Sequence, residues 1–301
     1  MRSFDVLPTE IILEYLLCDH LSTNYLKSSR ESGYIYSTAM DNNTTYWCLV
    51  TKLNEGKNLE DDWLPYWRDV CMKETEKEDG IVTYEMYHNK EHQMNCCFEE
   101  FKSSEDVITH MMNAGPKIGP TFASLVTPQK FNQCGTRITD GQKKLGEGHD
   151  ISYFTKKIAG SFRRQEYHIP GEEDIRYELI YNVKPGTSVE QLTAVVKPVS
   201  EETFKKVRDC VLNEYFVPEE IDDEKEYQLV CHVAYANSIA IANHWKLIEP
   251  HRAAFNEICN LAPGPLNICG PLTDEVYKLM KSIATEKDVI IFDRLDGRIK
   301  R

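Results

Sequence analysis

The sequence is short of positive charge. It has 35 Lys and Arg against 48 Asp and Glu, a formal net charge of −13 over 301 residues, and its basic residues form no cluster. A phosphate backbone requires a basic face, so nucleic acid and anionic membrane are excluded as main partners. Long apolar runs are also missing: nowhere do 18 apolar residues follow one another. The opening MRSFDVLPTE puts Pro8 and acids where a secretory signal needs a basic end and an apolar run. A cytoplasmic protein without a membrane span is expected. The ten cysteines lack metal-ligand spacing. Cys96 and Cys97 are adjacent on an expected strand and so point to opposite faces. They are read as reduced thiols used as small apolar groups, and no metal or other cofactor is expected. No glycine-rich coenzyme A loop follows 195–207, which removes an acetyltransferase.

What is present is ordinary globular protein, 41% hydrophobic and 28% charged. The length predicts about two domains at roughly 150 residues each. The organising stretch is 80–113. Gly80 closes a polar helix end, 81–87 is β-branched and aromatic, His88-Asn89-Lys90 is a turn, and 93–101 is a second extended run. Ser103 then offers an N-cap with Glu105 and Asp106 in the first turn. Val107, His110, Met111 and Ala114 give the helix an apolar face with a histidine set in it.

The same order returns further on. A strand at 46–53 and a helix at 59–78, carrying Trp63, Tyr66, Trp67 and Val70, precede the first hairpin; 176–183 and 189–209 precede the second, at 210–217 and 227–235. Pro198 is expected to start, break or kink the second helix. Phe101 and Tyr235 each lie nine residues before a histidine, His110 and His244. Cys134-Gly135 and Cys269-Gly270 follow those histidines by 24 and 25 residues. Ordered matches at nearly constant offset indicate duplication. The expected domains are 43–160 and 176–301, joined by a linker at 161–175 and preceded by a helical segment at 1–42. Within that segment Leu7-Pro8-Thr9-Glu10, Ile11, Ile12, Tyr15 and Leu16 resemble the first helix of an F-box, the module that docks on a ubiquitin-ligase adaptor; a plain packing helix is the alternative.

Gly80, Tyr84-Glu85, Glu100, Phe101 and His110 together resemble the antibiotic-biosynthesis-monooxygenase family of dimeric α+β barrels. The likeness covers 46–157 and reaches 176–295 through the repeat. It implies an α+β fold of two tandem ferredoxin-like domains closing a dimeric α/β barrel within one chain. A four-stranded sheet with helices on one face needs such a partner for its other face. The family oxidises quinols or phenols with dioxygen, without metal or flavin, in a pocket between sheet and helices. By that resemblance His110 and Glu100 are the candidate catalytic pair. Tyr84, Phe101, Met111 and Asn113 are candidate substrate contacts, with Tyr235, His244 and Trp245 as the second set. Loss of the acids at Val233-Ala234 implies that at most one half is active. Haem cleavage is disfavoured, because the asparagine of the haem-degrading branch is missing near Leu49 and Leu179.

The expected ligand is a small aromatic or apolar molecule, and a homodimer is left open. Three readings stand beside one another: a cofactor-independent monooxygenase, a non-catalytic ligand-binding or stress-response barrel, and an F-box-type adaptor. His110 as a core histidine bonded to backbone or carboxylate is the competing reading of the site.

Overall fold

Strand-forming runs and capped helices alternate twice along the chain, and their edges meet in one sheet. The structure, a computed structural model, describes residues 43–162, 174–284 and 287–300. The helix expected within 1–42 and most of the connection expected at 161–175 lie outside these residues.

The first half comprises β1 (Thr45–Leu53), a helical stretch α1 (59–75), β2 (Ile81–Asn89), β3 (Met94–Phe101), α2 (Ser104–Asn113), α3 (Gly115–Leu125), β4 (Val126–Cys134), α4 (Asp140–Leu145), β5 (Ser152–Phe154) and β6 (Lys156–Phe162). The second comprises β7 (Ile175–Val183), α5 (Val189–Lys206), β8 (Cys210–Val217), β9 (Tyr227–Tyr235), α6 (Ser238–Ile248), α7 (Arg252–Ile258), β10 (Cys259–Leu261), β11 (Leu266–Cys269), α8 (Asp274–Ala284) and β12 (Val289–Lys300). Ser103 caps its helix as the sequence suggests, and the structure adds two further side-chain caps. Ser103 accepts from Asp106 N at 3.2 Å, Asn237 accepts from Ala240 N at 3.0 Å, and Ser188 with Gln191 forms a capping box. The helix at 189–206 runs through Pro198.

The winding of α1 differs from the α-helix its aromatic spacing suggests. Leu59–Trp63 and Trp67–Met72 are π-helical. Buried Leu59, Trp63, Trp67, Cys71 and Thr75 recur every fourth residue. That row drifts around an α-helix of 3.6 residues per turn and stays closer to one face when the turn is wider.

The strands pair in the order β5-β4-β1-β3-β2-β12-β11-β7-β9-β8-β6, with β10 also on β7. Each half's last strand crosses to the other half: β12 pairs antiparallel with β2, and β6 with β8. The two ends of the path, β5 and β6, are separated only by Thr155. The result is a mixed α+β fold with a nearly closed, barrel-like sheet. Gly160 belongs to this crossing. Its φ is +120°, and a Cβ there would lie 2.3 Å from Asn213 O, so a larger residue would push β6 off β8.

Strand alternation divides the core into three. Outside the sheet, Trp47, Tyr84, Phe101, Trp63 and Trp67 pack under the first set of helices. Tyr177, Leu229, Tyr235 and Trp245 do so under the second. Inside, Phe98, Tyr87, Phe216 and Phe292 share the barrel with charged groups. A buried charge costs several kcal/mol unless paired, and the pairs join the halves. Arg176 Nε lies 3.1 Å from Glu85, and Lys130 Nζ lies 2.8 Å from Glu178, which also accepts from Asn132 at 2.9 Å. Against the penalty of burial, Lys130 and His232 hold the Glu178 carboxyl down at about 2. Among the described residues, no helix is long and apolar enough to cross a membrane.

Candidate functional site

On β3, Cys97, Glu99 and Phe101 share the helix-facing side because a strand alternates. Directly opposite Glu99 on β1 stands Trp47, and opposite it on β2 stands Tyr84. Capping at Ser103 fixes where α2 begins, and so turns His110, two turns later, down onto this surface. The imidazole is 6% exposed, with ring centroids 5.5 Å from Phe101, 6.1 Å from Trp47 and 6.3 Å from Tyr84. Trp67 of α1 stacks on Tyr84 at 4.8 Å.

Two carboxylates flank the imidazole. His110 Nδ1 donates to Glu78 Oε2 at 2.7 Å, and Nε2 stands 3.9 Å from Glu99 Oε2. Burial works against the imidazolium, but the bond to Glu78 and the charges of Glu99 and Glu78 outweigh it and raise His110 above its ordinary value. Burial lifts the Glu99 carboxyl above the usual carboxylate range, with His110 and the Cys97 thiol opposing. The site can therefore hold a charged imidazole beside a carboxyl that takes up protons more readily than a solvated one.

The structure brings His110, Tyr84 and Phe101 together as the sequence suggests, but not Glu100. That residue lies on the other face of β3, buried in the barrel with Thr83 Oγ1 3.5 Å away. Its neighbour Glu99 takes the place beside the histidine. The signal was available, since Glu99 is two residues from Phe101 and shares its face. Met111 packs at the edge of the aromatic cluster and Asn113 is exposed, one turn beyond the site. Glu78, in the turn before β2, carries no motif that would have announced it.

In the second half Tyr235, His244 and Trp245 are also brought together. Tyr235 Oη and His244 Nδ1 are 2.5 Å apart, Tyr177 stacks on Tyr235 at 5.9 Å, and the His244 and Trp245 rings lie 6.0 Å apart. Burial alone pushes His244 down to about 4. Among the described residues no three His, Cys, Asp or Glu side chains converge as a metal-binding set.

No protein-family model matches the chain, and no curated protein does. Solved structures do. A candidate monooxygenase from Fusobacterium nucleatum is 11% identical, with a TM-score of 0.50 over 72% of this chain and 88% of its own. Another from Lactobacillus acidophilus is 14% identical, with a TM-score of 0.48 over 72% and 90%. An anthrone oxidase-like protein is 10% identical, at 0.41 over 74% and 88%. The Fusobacterium protein shares the mixed α+β, barrel-like fold; identity this low speaks for fold alone.

Proposed function

We propose that this chain is a cofactor-independent, monooxygenase-like cytoplasmic protein that binds and oxidises a small aromatic molecule of quinol type, with the first half active and the second retained as the partner that closes the barrel. The observation that carries the reading is His110, held at 2.7 Å by Glu78 against a wall of Trp47, Tyr84 and Phe101. Aromatic walls bind a flat ring, and a positioned histidine engages its hydroxyl group.

The halves are read as a duplicated ferredoxin-like unit. The bond from Ile81 N to Glu78 O is answered by Cys210 N to Val207 O, and Lys102 N to Gly80 O by Ala236 N to Asp209 O. The acids of the first half are thereby matched by Val207 and Val233 in the second.

The test is oxygen uptake by the full chain with a panel of hydroquinones. Turnover should fall by roughly a hundredfold or more in His110→Ala and persist in His244→Ala. Equal rates in His110→Ala and the native chain would reject the site.

A further inference from the structure

Two buried polar atoms beside His110 are left without hydrogen-bond partners. Glu99 Oε1 accepts from the Cys97 thiol at 3.4 Å, but Oε2 has no hydrogen bond, with the residue 6% exposed. Trp47 Nε1, on the strand position paired with Glu99, is a buried donor in the same condition, with its residue 5% exposed. Buried polar atoms are normally satisfied, and one left unpaired destabilises the fold unless something fills its place. An orphan acceptor and an orphan donor on paired strand positions, among aromatic rings and a histidine, point to a ligand that supplies both partners.

The distance between His110 Nε2 and Glu99 Oε2 sets what that partner is. At 3.9 Å the two cannot bond to each other, yet one oxygen can sit about 2.8 Å from both. Nδ1 is engaged by Glu78, so Nε2 is the nitrogen turned to this position. Resting on the reading above, we propose that a phenolic or enolic hydroxyl of the ligand bridges His110 Nε2 and Glu99 Oε2, and that Glu99, not His110, accepts its proton. The ligand O–H bond breaks and an O–H bond forms on Glu99 Oε2. The electron pair stays on the ligand oxygen, which is held by the imidazolium, and nothing is oxidised in this step.

The surrounding groups agree with that division of labour. Burial keeps Tyr84, Cys71 and Cys97 protonated, with Cys71 pushed up to about 12, so none of them competes as the acceptor. The raised Glu99 is the better base and the raised His110 the better oxyanion partner. With two acids and one imidazole, the site favours a hydroxyl compound that arrives neutral over a carboxylated one.

The full chain and 4-nitrophenol, whose absorbance distinguishes phenol from phenolate, provide the test. The native protein should bind the probe saturably and lower its apparent pKa by one unit or more. 4-Nitroanisole, which has no proton to give, should bind at least tenfold more weakly. Glu99→Gln should bind the probe more weakly and leave the bound probe protonated; a probe ionised as in native would overturn the assignment to Glu99. Because that variant could fold poorly, difference infrared spectra of the native chain at pH 8 give the same answer. A carboxylic-acid carbonyl band should rise with 4-nitrophenol and not with 4-nitroanisole, and its absence would overturn the proposal. Binding unchanged in His110→Ala, or no saturable binding at all, would instead sink the reading on which the proposal rests.

Discussion

His110 and His244 occupy matching positions on α2 and α6, nine residues after Phe101 and Tyr235, and both are buried. Glu78 and Glu99 hold the first above its ordinary pKa, whereas burial acts unopposed on the second and lowers it. Two buried histidines on capped helices are thus shifted in opposite directions, and the acids beside the first account for the difference. A histidine on an apolar helix face is chemically undefined until its neighbours across the sheet are known.

The largest expected difference comes from deleting each ring. His110→Ala leaves the buried Glu99 and half-buried Glu78 carboxyls without the imidazole they share and should cost about 3–5 kcal/mol. His244→Ala removes one neutral hydrogen bond and should cost about 1–3 kcal/mol. Denaturant unfolding at pH 7 measures both, and equal losses would erase the contrast.

Acid should act next, and on the second half. His244 has a folded value of about 4 against an ordinary 6.5, so the unfolded chain binds that proton more tightly. The stability concerned is present above pH 6.5 and lost as pH falls towards about 4, about 3 kcal/mol in all. His244→Gln should remove that part of the slope in unfolding free energy against pH; an unchanged slope would show that His244 is not its source.

Glu99→Val gives the first half the residue of the second. A carboxyl raised by folding destabilises the native state once the pH exceeds its unfolded value. The variant should therefore gain about 1–2 kcal/mol at pH 7 and lose that gain as the pH drops below the usual carboxylate range. Chemical denaturation at pH 4 and 7 checks it, and a destabilised variant at pH 7 would show that Glu99 is held by more than His110 and Cys97. Smallest is Tyr235→Phe, expected to cost about 1 kcal/mol by unpairing His244 Nδ1. A thermal-unfolding shift as large as that of His110→Ala would mean the second site is not the weaker one.

The local pattern exposed much of this. The two hairpins, the cap at Ser103 and the histidine on an apolar helix face follow from periodicity and turn chemistry within about thirty residues, while the meeting of His110 with Phe101 and Tyr84 comes from the family resemblance. Long-range partners did not. Glu78 reaches His110 across 32 positions, and Asn132 reaches Glu178 across 46, with no spacing rule between them. Arg176 with Glu85 is also a pairing of β7 with β2, strands that are not neighbours in the sheet. Glu99, not Glu100, shares the helix-facing side with Phe101, since consecutive strand residues face opposite ways. The wide turns of α1 escaped because aromatic residues at i, i+3 and i+4 suit either winding.

The crossing of β12 onto β2 sets a timetable for synthesis. Arg294 donates to the Tyr87 hydroxyl across 207 positions, so β2 leaves the ribosome long before the strand that covers it. At 5–20 residues per second that delay is on the order of tens of seconds. Proteolysis of stalled nascent chains should find the 81–89 region open until the last strand has emerged. During that interval the first half carries an uncapped strand edge that can pair with another copy, a cost in translation time and in chaperone attention that the finished barrel no longer displays.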